Sequence, residues 1–199
     1  MRKLLNKLFN KKQDIESPKN ASIEPIESSP VQSPPKPPIL NRFNFNVAGT
    51  TAKNDEGKDL QKTLQSLGKK YCSENDIKLY GGYTNRELIS DGYEAIEFED
   101  LTFYKHELKF EYEPTNQYDK NAIKVFICFD GEKFTHVGYV PKTHNIKLKS
   151  ILENEDIRRI EAKYVGGNVK NIEYDDEKEK DVIVVNKLNI GIEIDVYYI

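Results

Sequence analysis

Four side chains in the middle of the chain have the chemistry needed to hold a nucleic-acid strand: Tyr118, Asp119, Tyr139 and Lys142. Tyrosine rings offer flat surfaces on which bases stack, a contact worth about 1–3 kcal/mol per base, and a lysine can meet a phosphate. The aspartate is the more specific feature. A carboxylate repels phosphates but accepts a hydrogen bond well from a free sugar hydroxyl, which exists at a strand end. These residue types can therefore form a surface for a single strand, on which Asp119 would be an acceptor for a free hydroxyl.

The same residues also have a structural interpretation. Asp119 could cap its own loop through an Asx-turn, and Tyr118 could simply cover the mouth of the fold. The residue types alone leave both interpretations open.

Motifs of catalysis are missing from the sequence. There is no phosphate-binding glycine loop, no serine or cysteine nucleophile beside a base, and no carboxylate pair with histidine at metal-ligand spacing. Cys72 and Cys128 have no partner spacing and are expected to be reduced thiols. We therefore expect that the protein is not an enzyme and needs neither a cofactor nor a metal.

The stretch from Glu111 to Lys142 must position the four candidate residues. Pro114 keeps the residue before it out of the helical region, and the turn-forming side chains of residues 116–121 predict a tight loop. Apolar residues alternate from Ile123 to Phe129, which predicts a strand, and the following Asp-Gly pair predicts a hairpin. The chain should therefore return antiparallel over residues 134–140.

That returning strand should end at a proline, with a helix after it. Gly138 permits a close backbone approach or a bulge, and Pro141 cannot donate a hydrogen bond to a strand ladder. Leu148, Ile151 and Leu152 then recur at helical spacing, which predicts a helix over residues 145–153.

Over this stretch the sequence resembles the HIRAN domain family, including its free-standing bacterial and phage members. The resemblance rests on Glu113-Pro114-x-Asn116-x-Tyr118-Asp119-x-Asn121-Ala122-Ile123-x-Val125, on Val137-Gly138-Tyr139-Val140-Pro141, and on Phe45-x-Val47-Ala48-Gly49 as a first strand. It implies an OB-like, partly open antiparallel β-barrel that captures the 3′ end of single-stranded DNA. In such proteins the Tyr118-Asp119 pair would perform the end recognition. DNA-end-binding relatives tend to carry a basic and an aromatic residue at the exit of the first strand. The chain departs from that pattern, because Gly49 is followed by Thr50-Thr51-Ala52-Lys53.

The remaining pattern predicts a mainly β domain over residues 40–199 with two helices. The first helix should span about residues 59–67 and stop at Gly68. Strands are expected at 43–47, 77–80, 94–99, 108–112, 157–165, 182–185 and 190–199. Residues 85–92 should be a connection, residues 166–168 a turn, and residues 173–181 a charged hairpin tip.

Residues 1–39 differ in amino-acid composition from the rest of the chain. The first 12 carry apolar side chains at helical spacing opposite several lysines, which is typical of a short basic amphipathic segment. Residues 13–39 hold seven of the nine prolines and no aromatic residue, so we predict a disordered linker. Two interpretations of residues 1–12 are open. The segment is either a frayed start that folds only on contact, or it binds weakly to an anionic membrane or a partner protein.

Charge and hydropathy bound the possible functions. No apolar run approaches the roughly 20 residues needed to span a bilayer, so we predict a cytoplasmic protein, with contact at the membrane surface as an alternative. Removing the seven basic and four acidic residues of positions 1–40 from the totals of 30 and 33 leaves a formal charge of −6. DNA binding would then need a local basic patch, for which the candidates are Lys142, Lys147, Lys149, Arg158 and Arg159. The alternative function is a non-catalytic protein-interaction or membrane-tethered adaptor.

Overall fold

The computed structural model describes residues 39–53, 57–99 and 101–199. The basic segment and the linker expected over residues 1–39 lie outside these ranges, apart from Ile39. The strands are β1 (Asn41–Asn46), β2 (Ala95–Ile96), β3 (Thr102–Tyr104), β4 (Leu108–Tyr112), β5 (Ile123–Cys128), β6 (Phe134–Tyr139), β7 (Ile157–Asp175) and β8 (Lys180–Tyr198). The α-helices are α1 (Leu60–Glu74), α2 (Asn85–Asp91) and α3 (Asn145–Asn154).

The larger sheet is antiparallel and is built around one long hairpin. β7 and β8 pair along their whole length, from Ile157 opposite Tyr198 to Asp175 opposite Lys180. β1 pairs with the C-terminal part of β8, while β2 and β3 pair with β7. The sheet therefore covers one side of the domain and extends beyond it as a two-stranded arm.

The sequence interpretation of this hairpin as several short strands is wrong. β7 continues through residues 166–168, where the expected turn is instead a bulge that shifts the register. Gly166 has a φ of +79°, and a Cβ there would collide with the backbone oxygen of Asn189. Gly166 thus lets β7 and β8 approach each other closely, and neither strand ends there.

The smaller sheet carries most of the stretch that resembles the HIRAN family. Its order is β4-β5-β6, and both pairings are antiparallel. Ala48, just beyond β1, forms a bridge to Tyr139 in β6, with reciprocal N–H to carbonyl distances of 2.7 and 2.8 Å. A Cβ at Gly138 would collide with the carbonyl oxygen of Ala48, and the φ of Gly138 is +142°. The close backbone approach predicted at Gly138 is therefore confirmed.

The mainly β class is confirmed, but the strands are arranged as two sheets. The bridge between Ala48 and Tyr139 joins the sheets at one edge. At the other edge, a 3₁₀ turn at Lys105–Glu107 leads from β3 to β4, and within the described residues no ladder pairs these two strands. In this part of the chain the sheets are thus not closed into one barrel.

The prediction of two helices over residues 40–199 is wrong, because the described part of this range already contains three α-helices. α1 does not stop at Gly68 but continues to Glu74. Gly68 is buried in the middle of the helix, and a Cβ there would lie 3.0 Å from ring atoms of both Phe98 and Tyr164. The glycine is therefore a packing residue, which lets the helix lie close against two aromatic rings.

The third helix, α2, occupies residues that were expected to be a connection. Its start has a capping box: the Thr84 hydroxyl accepts from the Glu87 N–H, and the Glu87 carboxylate accepts from the Thr84 N–H at 2.8 Å. Gly92 ends the helix in the left-handed conformation. The sequence shows both signals, the capping pair Thr84 and Glu87 and the terminal Gly92, so this helix could have been predicted.

One core lies between the two sheets and the helices. Ile192 and Ile194 from β8, Val125 from β5, Leu64 from α1 and Leu148 from α3 are all fully buried in it. Alternation along β5 and β8 places these side chains on the inner faces of both sheets, as the strand period requires. The core thus fixes β5, β6 and α3, which together carry the candidate site.

Candidate functional site

The loop between β4 and β5 is organised by Glu113. Its carboxylate accepts hydrogen bonds from the Asn116 amide at 2.7 Å and the Tyr139 hydroxyl at 3.2 Å, and it pairs with Lys124 at 2.9 Å. The Asn116 and Lys124 contacts, in that order, hold the pKa of Glu113 below its usual value. Glu113 therefore ties the loop to both β5 and β6. The sequence interpretation used Glu113 only as the residue before a proline and missed this role.

The rest of the loop is built from side chains that cap backbone donors. The Asn116 side-chain oxygen accepts from the N–H groups of Tyr118 and Asp119, at 2.9 and 3.1 Å. Oδ1 of Asp119 accepts from the Asn121 N–H at 2.9 Å, which is an Asx-turn. The structural interpretation of Asp119 as a cap of its own loop is therefore confirmed.

Asp119 also contacts the helix that follows the second hairpin strand. Its other oxygen, Oδ2, accepts from the side-chain amide of Asn145 at 2.6 Å. Asn145 is the first residue of α3 and is only 2% exposed. Its own side-chain oxygen is buried and has no hydrogen-bond partner among the described residues. The sequence interpretation missed Asn145, which lies at the first helical position and not at the N-cap, so that no capping signal marks it.

The Asp119 carboxylate keeps capacity for a ligand. An ionised carboxylate offers about four lone-pair positions, and the loop and α3 donate one hydrogen bond to each oxygen. The side chain is half-buried rather than enclosed. Asp119 can thus support the loop and still accept a hydrogen bond from a bound molecule.

The side chain of Tyr118 is much more exposed than that of Asp119. Its side chain is 81% exposed, so it does not cover the interior of the fold as the structural interpretation would require. Within the described ranges, neither its ring nor its hydroxyl has an aromatic or hydrogen-bonded partner. The tightly capped loop therefore presents a large aromatic ring to solvent.

Tyr139 and Lys142 are placed differently from each other. Tyr139 is half-buried, and its hydroxyl donates to Glu113, so it borders the loop from β6. Lys142 is exposed in the turn before α3, three residues ahead of Asn145. In the described part of the chain no hydrogen bond or ion pair joins Lys142 to another residue. The structure thus connects Tyr118, Asp119 and Tyr139 through one hydrogen-bonded loop and leaves Lys142 as a cation beside α3.

Most of the basic patch expected around Lys142 is paired with acids. Lys149 lies 3.9 Å from Glu153, while Arg158 and Arg159 pair with Asp156 and Glu161, at 2.8 and 3.3 Å. Arg159 also stacks over the ring of Tyr197, at 4.1 Å from the ring centroid. These pairings reduce the positive field available to a polyanion in this region.

Two structural findings concern other classes of protein. In the ranges that the structure describes, no group of three or more His, Cys, Asp and Glu side chains is arranged to hold a metal ion. No helix within those same ranges is both long and apolar enough to cross a membrane.

Cys72 and Cys128 are both buried free thiols, and burial raises the pKa of the Cys72 thiol.

Comparison with known proteins supports the resemblance seen in the sequence. Residues 93–185 match the HIRAN domain, which supports the assignment of this part of the chain to the HIRAN family. HIRAN domains are generally nucleic-acid-binding modules. The matched range contains all four candidate residues and excludes β1, α1 and α2. No curated protein and no solved structure shows significant similarity to the chain.

Proposed function

We propose that this chain binds the 3′ end of single-stranded DNA at Tyr118 and Asp119, with Tyr139 and Lys142 at the border of the site. The observation that carries the proposal is the 81% exposure of Tyr118 on a loop that is held by side-chain hydrogen bonds of Glu113, Asn116 and Asp119. An exposed ring on a rigid support loses little conformational entropy when a base stacks on it. That cost would be higher on a mobile loop.

Asp119 supplies the preference for a strand end in this proposal. A passing phosphate would place a negative charge against the carboxylate, whereas a terminal 3′-hydroxyl can donate a hydrogen bond to it. Lys142 would meet a phosphate close to the terminal nucleotide, and Tyr139 would limit the site from the side of β6. The site thus combines attraction for the end with repulsion of internal positions.

The proposal extends to architecture and to the absence of catalysis. We infer that the two sheets, joined at Ala48 and Tyr139, correspond to the partly open, OB-like barrel that the resemblance implies. We also propose binding without catalysis, in which Asp119, engaged by Asn121 and Asn145, acts as a hydrogen-bond acceptor.

Titration of a labelled oligonucleotide against the full chain tests the proposed site. Tyr118→Ala should weaken binding by about fivefold to a hundredfold, which corresponds to the loss of one stacked base. Tyr174→Ala is the matched control, because Tyr174 is 62% exposed and lies on the long β7–β8 arm. Equal affinity of wild type and Tyr118→Ala would reject the site.

The adaptor function has one observation in its favour, which is the formal charge of −6 over residues 41–199. Such a charge repels DNA at long range. If wild-type protein fails to bind any oligonucleotide at low salt, the adaptor becomes the better account of this surface.

A further inference from the structure

A concave surface lies between α1 and the hairpin of β5 and β6, apart from the candidate site. It is a groove of about 780 Å³. The residues of the groove that matter here are Lys58, Lys62, Phe126, Lys133, Phe134 and His136. None of the four candidate residues lines it. Because α1 lies outside residues 93–185, one wall of the groove is built by a part of the chain that the HIRAN match does not cover.

The groove combines exposed cations with aromatic rings. Lys58, Lys62 and Lys133 are all exposed, and they line the same space as two phenylalanine rings. This is the combination that single-strand-binding surfaces use, with lysines along the phosphates and rings beneath the bases.

Two carboxylates also line the groove, and both are engaged by backbone donors. Asp59 caps α1 by accepting from the Lys62 N–H at 2.9 Å. Asp130 accepts from the N–H groups of Glu132 and Lys133, at 3.1 and 2.8 Å. Positive backbone dipoles therefore offset part of the charge of each carboxylate.

A row of rings leads from the candidate site into the groove. The centroid of the Tyr139 ring lies 5.0 Å from that of His136, and the His136 centroid lies 5.3 Å from that of Phe126. The strand register places Cys128 opposite Phe134, so Phe134 follows on the same face of the sheet. Phe134 is 38% exposed at the end of the row. Ring contacts through the buried His136 thus connect Tyr139 to the groove.

We propose that this groove binds the nucleotides that precede the terminal one on the same DNA strand. Bases would stack on Phe126 and Phe134, while phosphates would lie near Lys62 and Lys133. The assignment of DNA as the occupant rests on the proposed function, because the ring row starts at the border of that site. The groove gives the protein a longer footprint than the end pocket alone.

Oligonucleotide length separates the groove from the end pocket. All probes carry one 3′-hydroxyl and are about 4 or about 12 nucleotides long, which spans the site sizes of single-strand binders. Wild-type protein should bind the longer probe at least about tenfold more tightly, since two further stacked bases are expected. Each probe has only one 3′ end, so length brings no statistical gain in end binding.

Two substitutions test the groove with matched controls. Phe134→Ala and Lys62→Glu should each weaken binding of the long probe by about fivefold and leave the short probe unaffected. Tyr174→Ala and Lys187→Glu alter an exposed aromatic and an exposed lysine outside the groove, and should leave both probes unaffected. Thermal unfolding of each variant verifies that the fold is retained.

The outcomes distinguish the groove from the end site. Unchanged long-probe affinity in Phe134→Ala and Lys62→Glu would overturn the groove, and a surviving preference for 3′-hydroxyl ends would leave the proposed function in place. A loss in both groove variants without any end preference would support the groove and reject the end pocket. If an acidic peptide of matched charge binds more tightly than the long probe and depends on Phe134, the occupant is a protein and the DNA assignment is overturned.

Discussion

The side-chain amide of Asn145 donates a hydrogen bond to the Asp119 carboxylate across 2.6 Å, and so ties the loop after β4 to the first turn of α3. Asn145 is 2% exposed, so this bond is shielded from water on one side. A buried donor left without an acceptor costs about 1–3 kcal/mol. The pair therefore gives Asp119 a structural role in addition to the binding role that we propose for it.

Substitutions at Asp119 should separate these two roles. Asp119→Ala should lower the free energy of unfolding by about 1–3 kcal/mol, because Asn121 and Asn145 each lose an acceptor. Asp119→Asn can keep both bonds if the Asn145 amide reverses, so its stability should stay within about 1 kcal/mol of wild type. Chemical denaturation measures both values.

Asp119→Asn and Asn145→Ala should differ in their DNA binding. Asp119→Asn removes the negative charge and should lose the preference for 3′-hydroxyl over 3′-phosphate ends. Asn145→Ala keeps the carboxylate and should retain that preference despite a lower stability. An Asp119→Asn variant with the full preference would show that the carboxylate is not the acceptor.

Gly138→Ala should disrupt the contact between the two sheets. The added Cβ would collide with the carbonyl oxygen of Ala48, and residue 138 has a positive φ that disfavours a side chain. Unfolding free energy should fall by at least about 2 kcal/mol, from overpacking together with backbone strain. Gly131→Ala is the control at a glycine with positive φ but open space around it. Equal losses in the two variants would contradict the role of Gly138 in close approach.

The sequence predicted the part of the fold whose signals are local. Alternation over residues 123–129, the Asp130-Gly131 pair and Pro141 gave β5, β6 and the position of α3 to within a few residues. Gly68 and the glycines at 166–167 were misinterpreted, because a glycine that ends an element and one that permits close packing look alike in a sequence. Only the positions of Phe98, Tyr164 and Asn189 in space decide between them.

The candidate site was predicted in composition but not in its connections. Tyr118 and Asp119 stand out as residue types, and the structure places them together on one loop. Asn145 is separated from Asp119 by 26 residues, and the contact depends on how α3 packs beneath the loop. The groove depends on the packing of α1 beside the hairpin, which no local pattern in the sequence specifies.

The stability contributed by Glu113 should depend on pH. Hydrogen bonds from Asn116 and Lys124 lower its pKa in the folded state below the ordinary value of 4.5. A lowered folded pKa means that the contribution is present above pH 4.5 and is lost as the pH falls through the folded value. The difference in unfolding free energy between wild type and Glu113→Gln should therefore shrink as the pH falls below 4.5. A difference that stays constant with pH would show that the Glu113 charge adds nothing.

Salt dependence should reveal few phosphate contacts. Each neutralised phosphate of a single strand contributes about −0.7 to the slope of log affinity against log salt, so about three contacts give about −2. Lys142→Ala should make the slope shallower by about 0.7 and should weaken binding at low salt. Lys187→Ala is the control for loss of one exposed lysine elsewhere. An unchanged slope in Lys142→Ala would show that Lys142 does not meet a phosphate.

The central claim concerns the chemical nature of the strand end, and end-modified oligonucleotides test it most directly. Wild-type protein is titrated with probes of one sequence that end in a 3′-hydroxyl, end in a 3′-phosphate, or are closed into a circle. Losing a charge-assisted hydrogen bond costs about 1.5–3 kcal/mol, so the 3′-hydroxyl probe should bind at least about tenfold more tightly than the other two. Equal affinity for all three probes would contradict recognition of the 3′ end by Asp119.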